Sequence, residues 1–396
     1  MSEFVKIILK SGKDLAAKRF HPWVFSGAVK KMYGEPAEGD VVEVYSNHDE
    51  FLGMGHYQPS SITVRIFSFE KINPDFSFWK NKFSEAYNFR KVLGLTDTPE
   101  TNVYRLIHAE GDNMPGLIAD FYNGVIVLQS HSIGMHRNNE MFTEILKEIY
   151  GNKLIAVYDK SSETLPHMAK INSEDKYLFG KANELHEVTE YGNKFYVNWE
   201  SGQKTGFFID QRENRNLLRK FVNDKKVLNT FSYTGGFSVY ALQAGAAEVY
   251  SVDSSKKAMD ITEKNIALNN FENGKHISKP VDAFDFLKNI ENEFDVIILD
   301  PPAFAKHHDV KHNAMQGYKR INLEAMKQIK KGGILFTFSC SQVVDRSLFN
   351  STIMSAAILS GRNVRILHQL SQPADHPFNA CHPEGEYLKG LVLYIE

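Results

Sequence analysis

The sequence has little cysteine, little excess charge and no long apolar run, and each shortage excludes a class of protein. Only Cys340 and Cys381 occur among the 396 residues, which excludes a disulfide framework or a zinc site made of cysteines. No stretch approaches the ~18 consecutive apolar residues of a membrane span. The N-terminal residues lack the apolar core and cleavage site of a signal peptide. We therefore expect a cytoplasmic protein without a membrane partner.

The charges nearly balance. Lysine and arginine total 46, aspartate and glutamate total 48, and the net charge is −2. Proteins that bind nucleic acid through bulk electrostatics are usually basic overall. Any RNA contact therefore has to come from a local basic surface. The chain is 42% apolar and 24% charged, which is a globular composition, and its length predicts two or three domains.

Residues 1–72 contain short alternating apolar segments, VKIIL, VVEVY, FLGMGHY and ITVRIF, separated by turn residues. This spacing predicts a small β-barrel-like domain. Around HPWVFSGAVKK, basic and aromatic side chains that suit phosphates and bases lie close in sequence, among them Arg19, His21 and Trp23. The alternative is an ordinary turn with a core tryptophan, and the residues alone favour that alternative.

Residues 73–192 are predicted to form a small α+β domain. The segment DFSFWKNKFSEAYNFRKVLGL has apolar residues at helical spacing. Apolar strands then enclose a helix around NEMFTEILKEIY, with Tyr122-Asn123-Gly124 as the expected hairpin turn. Residues 160–192 are polar and weakly periodic, and they support no specific prediction.

From residue 193 onward, strands and helices alternate, which predicts a doubly wound, mostly parallel sheet in a Rossmann-like domain. A strand at 227–230 leads into Gly235-Gly236, where backbone N–H groups can approach a ligand at a helix N-terminus. The next strand ends at Asp253, in position for ribose hydroxyls. A third strand leads to Asp282 and Ala283, which suit an adenine ring.

The fourth strand, VIIL, ends at Asp300 and is followed by Pro301, Pro302 and Phe304. An acid, a stiff loop and an aromatic ring suit the edge and face of a planar base. A strand that ends in an ordinary proline turn is the alternative. The fifth strand, ILFTFSCS, places Cys340 at its carboxyl end.

The first turn distinguishes two cofactors. A dinucleotide-binding dehydrogenase would have G-x-G-x-x-G, whereas this chain has Thr234-Gly235-Gly236-Phe237. S-adenosylmethionine carries adenosine without phosphates, so it needs a ribose acid and a close turn. The sequence therefore favours S-adenosylmethionine.

Several motifs in order, FFIDQRENR, NTFSYTGGF, SVDSS, LDPPAFAK, GYKRIN, FTFSCS and HPEGEYLKG, resemble the ribosomal RNA large subunit methyltransferase I family, which methylates C5 of cytosine in 23S rRNA. The resemblance covers nearly the whole chain, since HPWVFSGAV looks like that family's PUA module. It implies that Asp253 holds the ribose, Asp282 the adenine side, residues 231–235 the methionine moiety, and that Cys340 attacks the base. Two departures are the absence of arginines after Asp159 and the presence of Cys381.

The resemblance implies a PUA-like domain at 1–72, a central α+β domain at 73–192 and a class I methyltransferase domain at 193–396. The predicted residues are, for the cofactor, Lys204, Gln211, Phe231, Tyr233, Thr234, Gly235, Asp253, Ser254, Asp282, Ala283 and Asp300; for catalysis, Cys340 and Asp300; and for RNA, Arg19, His21, Trp23, Pro301, Pro302, Phe304 and Lys306. The expected partner is large-subunit ribosomal RNA or its precursor particle, with a homodimer as a candidate assembly and without a metal.

The chemistry of cytosine C5 independently calls for a thiol, because addition of a thiolate to C6 makes C5 nucleophilic. A small buried hydrophobe is the alternative role for Cys340, but its strand-end position favours a nucleophile, whereas Cys381 lies in a predicted loop. Two other functions stay open: a methyltransferase of an exocyclic amine of adenine or guanine, and a non-catalytic RNA-binding protein. The cluster of His307, His308, Asp309 and His312 is interpreted as a solvated loop.

Overall fold

The structure, a computed structural model, describes residues 4–166, 173–272, 274–304 and 311–396. Lys306, the predicted RNA contact, and the neighbouring residues 307–309 lie outside this set. The described residues form two compact units. The first comprises 1–188, 197–207 and 374–385, and the second 189–196, 208–373 and 386–396. Among the described helices, none is both long and apolar enough to cross a membrane.

The first unit opens with a six-stranded sheet that confirms the predicted PUA-like β domain. Its elements are β1 (Val5–Leu9), α1 (Leu15–Lys18), β2 (Trp23–Phe25), β3 (Val29–Tyr33), β4 (Val41–Tyr45), β5 (Phe51–Tyr57) and β6 (Ile62–Ser68), in the order β2-β6-β5-β4-β1-β3. Alternate residues such as Ile7, Val42, Val44 and Val64 are fully buried in its core. The sequence did not predict β2 and β3, which are short or largely exposed.

A five-stranded sheet with helices follows in the same unit. It comprises α2 (Phe76–Val92), β7 (Val103–His108), β8 (Leu117–Tyr122), β9 (Val125–Ser130), α3 (Ile133–His136), α4 (Asn139–Tyr150), β10 (Ala156–Asp159) and β11 (Lys176–Gly180), in the order β11-β10-β9-β8-β7. The predicted hairpin is present, because Tyr122 pairs with Val125, and Asn123 and Gly124 both have positive φ, as a type I′ turn requires.

The core of this second sheet includes residues from the first. Met54 and Phe67 are buried in one cluster with Trp79 and Phe83 of α2. The first 72 residues therefore share a core with the residues that follow, and the three-domain division at 72 and 192 stays a prediction.

A two-stranded ribbon, β12 (His186–Glu190) and β13 (Asn193–Val197), precedes the largest sheet. The elements that follow are α5 (Arg212–Leu218), β14 (Lys226–Thr230), α6 (Gly236–Gln243), β15 (Glu248–Val252), α7 (Lys256–Leu268), β16 (His276–Lys279), α8 (Ala283–Leu287), β17 (Val296–Leu299), α9 (Lys311–Gln328), β18 (Gly333–Ser339), α10 (Arg346–Ser360), β19 (Val364–Leu370) and β20 (Lys389–Ile395). The strand order is β16-β15-β14-β17-β18-β20-β19.

This sheet confirms the doubly wound, mostly parallel prediction. The strands β16, β15, β14, β17 and β18 run parallel, and β20 is antiparallel to both of its neighbours. The sequence of β17 is continuously apolar because both faces of the strand are buried. Ile297 and Leu299 pack into one core, and Val296 and Ile298 pack into the core on the opposite face.

Candidate active site

The carboxyl ends of the central strands lie level at one edge of the large sheet. Thr230, the last residue of β14, pairs with Val252 of β15 and with Leu299 of β17. The residues just beyond these strands therefore share one crevice, the usual ligand position in such sheets. The antiparallel strand β20 begins at the same edge, because its first residue, Lys389, is opposite Ser339 at the end of β18.

Asp300 follows β17 and is half-buried. Gln211 donates from Nε2 to Oδ2 of Asp300 at 3.0 Å, and Asn214 orients that amide by donating to Oε1 of Gln211 at 2.6 Å. Burial raises the pKa of Asp300 to about 7, and the negative charge of nearby Asp210 adds to the increase. Near neutral pH, a substantial fraction of Asp300 therefore carries a proton that it can donate.

Asp210 is a crevice residue that the sequence analysis missed. Tyr387 donates its hydroxyl to Oδ2 of Asp210 at 2.8 Å. The other oxygen, Oδ1, is buried and has no hydrogen-bond partner among the described residues. Such an atom is costly unless a ligand satisfies it. The sequence indicated Asp210 only through its position next to Gln211, a predicted cofactor residue, in the segment FFIDQR.

A buried ion pair fixes the segment that carries Asp210 and Gln211. Arg215 donates to both oxygens of Glu190, from Nε at 2.9 Å and from Nη2 at 2.8 Å. Its Nη1 also donates to the carbonyl of Phe208 at 2.9 Å. Tyr240 donates to Oε1 of Glu190 at 2.9 Å. A bidentate pair of this kind holds the backbone in a defined geometry.

The turn after β14 is strained in a regular pattern. Phe231, Tyr233 and Gly235 have φ of 53°, 47° and 79°. A Cβ on Gly235 would lie 2.7 Å from Cγ2 of Thr262, so only glycine fits there. The hydroxyl of Ser232 in the same turn is buried without a hydrogen-bond partner in the described residues. Positive φ at non-glycine residues is typical of functional turns.

Asp253 lies beside this turn, directly after β15. Its carboxylate accepts hydrogen bonds from the backbone N–H of Tyr233 at 3.0 Å and of Ser255 at 2.9 Å. Ser254 is exposed next to it. Asp282 is exposed and caps α8 by accepting from the N–H of Asp285 at 3.1 Å. Ala283 is buried behind it.

Cys340 is half-buried at the end of β18. On the adjacent strand, opposite Ser339, lies Lys389, which is 2% exposed and which the sequence analysis also missed. Lys389 donates to the carbonyls of Ser341 at 2.7 Å and Tyr387 at 2.6 Å. Burial lowers the pKa of Lys389 to about 8, and a negative charge on Cys340 would oppose that decrease.

The loop after Asp300 packs against α9. Pro301 is buried, Pro302 is exposed, and the ring of Phe304 lies 4.6 Å from that of Tyr318. The hydroxyls of Tyr318 and Ser341 form a hydrogen bond of 2.9 Å. Helix α9 therefore links the loop that follows Asp300 to the loop that follows Cys340.

The remaining predicted residues belong to the first unit. Arg19 is exposed. Trp23 donates from Nε1 to Glu110 at 2.8 Å, and its ring lies 4.4 Å from that of His382, so one edge of the indole is engaged within the protein. Lys204 is exposed and has a φ of 53°. Cys381 is half-buried.

One group of metal-ligand side chains comes together in the described part of this unit: His21, His382 and Glu384. The backbone N–H of Trp23 donates to Nδ1 of His21 at 3.2 Å, which leaves the hydrogen of a neutral ring on Nε2. That atom faces Glu384 at 3.4 Å. His21 and Glu384 can therefore form a hydrogen bond without a metal.

Comparison with known proteins agrees with this geometry. The family described as S-adenosylmethionine-dependent methyltransferase matches residues 104–382, and a PUA-like domain family matches residues 7–69. Ribosomal RNA large subunit methyltransferase I of Enterobacter sp. (strain 638) is 36% identical over 397 residues, 99% of each chain. The protein of that name from Aeromonas salmonicida is 37% identical over 403 residues, again 99% of each chain.

Solved structures support the fold. A protein described as an S-adenosylmethionine-dependent methyltransferase of Streptococcus mutans superimposes with a TM-score of 0.84 at 23% identity, covering 98% of this chain and 99% of that one. A methyltransferase complexed with SAH gives a TM-score of 0.85 at the same identity and coverage. The full-length relatives show that the chain belongs to the ribosomal RNA large subunit methyltransferase I family, and the two family models show that it has an S-adenosylmethionine-dependent methyltransferase domain and a PUA-like domain.

Proposed function

We propose that this protein forms 5-methylcytosine in 23S rRNA and that Cys340 adds covalently to C6 of the target base. One observation supports the proposal most strongly: β17 and β18 are paired neighbouring strands. Asp300 directly follows β17, and Cys340 directly follows β18. A methyltransferase of exocyclic amines has use for an acid in this position but none for the thiol.

The reaction needs a nucleophile because C5 of cytosine is too weak a carbon nucleophile to react unaided. The sulfur of Cys340 forms a bond to C6, the electron pair of the C5–C6 double bond moves to the C4–C5 bond, and the pair of the C4–N3 double bond moves to N3, which gives an enamine. Bound S-adenosylmethionine would supply the methyl group to which C5 forms its new bond, and the electron pair of the broken carbon–sulfur bond would stay on the cofactor's sulfur. Loss of the C5 proton to water then restores the double bond and expels Cys340 as a thiolate.

Asp300 has the protonation state that this addition requires. Because its pKa is raised to about 7, Asp300 can donate a proton to N3 of cytosine as negative charge develops there, and it recovers that proton on elimination. A donor aimed at developing charge stabilises the transition state more than the ground state.

The residues of the crevice fit S-adenosylmethionine. Asp253, with both oxygens already oriented by backbone N–H groups, suits the ribose hydroxyls. The unsatisfied Oδ1 of Asp210 and the hydroxyl of Ser232 suit the ammonium and carboxylate of the methionine moiety. The other proposed cofactor residues are Lys204, Gln211, Phe231, Tyr233, Thr234, Gly235, Ser254, Asp282, Ala283 and Asp300.

The proposed RNA contacts are Arg19, His21, Trp23, Pro301, Pro302, Phe304 and Lys306.

The proposed assembly is a homodimer. The observation that favours a second copy is a set of exposed apolar side chains on α10 and the edge strand β19, including Met354, Ile358 and Ile366. Light scattering of the purified protein tests this assembly, and a monomer mass at micromolar concentration would contradict it.

Nucleoside mass spectrometry of rRNA from cells with and without the gene tests the function. We expect cells without the gene to lose 5-methylcytosine from 23S rRNA, wild-type protein to restore it, and Cys340→Ala not to. Loss of a methylated adenosine or guanosine instead would overturn the proposal and favour an exocyclic-amine methyltransferase.

A further inference from the structure

A buried lysine lies at the edge of the large sheet where β18 ends, and lysines are almost never fully buried unless they are paired. Lys389 is 2% exposed. It opens β20 directly opposite Ser339, the residue before Cys340. Its position thus depends on the one antiparallel strand beside β18.

Lys389 is tied to the residues on both sides of Cys340, since it pairs with Ser339 and hydrogen-bonds to Ser341. Nζ donates to the carbonyl of Ser341, the residue after Cys340, at 2.7 Å, and to the carbonyl of Tyr387 at 2.6 Å. Both acceptors are neutral. Among the described residues, no carboxylate lies within ion-pair distance of Nζ, whereas a buried ammonium normally requires a counterion.

The more distant charges near Lys389 are already engaged. Glu386 accepts from Arg346 at 2.7 Å, and Asp345 caps α10 by accepting from the N–H of Leu348 at 2.8 Å. Tyr318, a titratable group whose pKa a charge on Cys340 raises, hydrogen-bonds with Ser341. The Cys340 sulfur is therefore the neighbouring group best placed to supply the negative charge.

We propose that Lys389 is a positioning residue that keeps Cys340 ionised as one half of a buried thiolate–ammonium pair; this inference rests on the proposed role of Cys340 as the nucleophile. The proton leaves Sγ and resides on Nζ. When the sulfur adds to C6, its negative charge moves onto the base. Elimination then returns the thiolate to the ammonium.

Each group of the pair stabilises the charged form of the other. The thiolate opposes the decrease that burial imposes on the pKa of Lys389, and the ammonium lowers the pKa of the thiol by the same interaction. The resting enzyme thus holds its nucleophile in the reactive form before RNA arrives.

The test is the pH dependence of Cys340 alkylation by iodoacetamide in the full-length protein, with Cys381→Ala removing the other thiol. Lys389→Met removes the charge and keeps the length of the side chain, whereas Lys389→Arg keeps the charge. We expect Lys389→Met to raise the alkylation midpoint by about one unit, which slows the reaction about tenfold at pH values below both midpoints. We expect Lys389→Arg to restore most of the rate.

Lys160→Met is the matched control, because Lys160 is also buried and also donates to two backbone carbonyls, those of Trp199 and Gly202, in the other unit. It should leave the midpoint unchanged. Circular dichroism verifies folding of each variant. A folded Lys389→Met protein with an unchanged midpoint would overturn the proposal. If that variant does not fold, the protein with native Lys389 still decides, because a Cys340 midpoint at or above the ordinary thiol value of ~8.5 would also overturn it.

Alkylation requires neither RNA nor S-adenosylmethionine, so this result is independent of the proposed reaction. A shifted midpoint together with full methylation by Cys340→Ala would sustain the ion pair and refute the nucleophile. An unshifted midpoint together with inactive Cys340→Ala would refute the ion pair and sustain the nucleophile.

Discussion

Single residues of the crevice have ionisation states that their surroundings impose, and Asp300 shows this most directly. An aspartate in the unfolded chain ionises near pH ~3.9, whereas burial raises the pKa of Asp300 to about 7 in the fold. Between these values the native state binds a proton that the unfolded state does not. The free energy of unfolding therefore falls as pH rises through this window.

Replacement of Asp300 by Asn should remove that dependence. We expect Asp300→Asn to increase the melting temperature relative to wild type more at pH 8 than at pH 5, and the difference in the free energy of unfolding between the two pH values should be at most about 3 kcal/mol. Differential scanning fluorimetry at the two pH values measures it. Asp260→Asn, an exposed carboxylate on α7, is the control and should show no such difference. An equal shift at both pH values would contradict the raised pKa.

A single substitution at Asp253 tests whether this residue binds the cofactor. Asp253→Asn keeps the shape of the side chain but removes the charge that assists bonds to ribose hydroxyls, so S-adenosylmethionine should bind more weakly by ~1.5–3 kcal/mol. Isothermal titration calorimetry provides the affinity. Asp285→Asn, on an exposed carboxylate of α8, should bind nearly as well as wild type. Undiminished binding by Asp253→Asn would remove Asp253 from the site.

Among the elements, the turn between β14 and α6 is the most constrained. Gly235→Ala should force a Cβ to 2.7 Å from Cγ2 of Thr262 at a φ of 79°, so we expect a loss of stability and of cofactor affinity, each of order ~1–3 kcal/mol. Gly361→Ala supplies the control, because Gly361 has a φ of 69° with nothing within 4 Å of the added Cβ. Equal losses in the two variants would mean that backbone strain alone, and not the fit against α7, makes Gly235 necessary.

The elements also show what sequence can and cannot predict. Strand β17 was predictable because both of its faces are buried, so its apolar run is continuous, and Asp300 followed directly. Strands β11 and β12 were not predicted, because half-exposed residues give them no apolar period. Lys389 and Asp210 were missed for another reason: their segments meet β17 and β18 only through the strand order and local hydrogen bonds of the folded protein.

At the scale of the whole molecule, the PUA-like domain is tested best in the full chain. Met54 and Phe67 share a core with Trp79, so a truncation near residue 73 would expose apolar surface and confuse RNA binding with misfolding. Arg19→Glu in the full chain should weaken binding to 23S rRNA fragments and lower the slope of log affinity against log salt by ~0.7–0.9, the value for one phosphate contact. Filter binding at several salt concentrations measures this slope.

Lys91→Glu, a charge reversal at an exposed residue of α2, is the matched control and should leave both affinity and slope near wild type. If the two variants bind RNA equally well, Arg19 makes no phosphate contact, and the RNA surface must lie elsewhere.

The central claim concerns Cys340, and trapping with a fluorinated substrate tests it most directly. A 23S rRNA fragment with 5-fluorocytosine at the target position cannot lose its C5 substituent, so the addition product persists after methyl transfer. The account predicts a complex that survives denaturation, whose RNA-linked peptide contains Cys340 by mass spectrometry, and which forms with Cys381→Ala but not with Cys340→Ala. A covalent complex through Cys381, or undiminished methylation of normal RNA by Cys340→Ala, would contradict it.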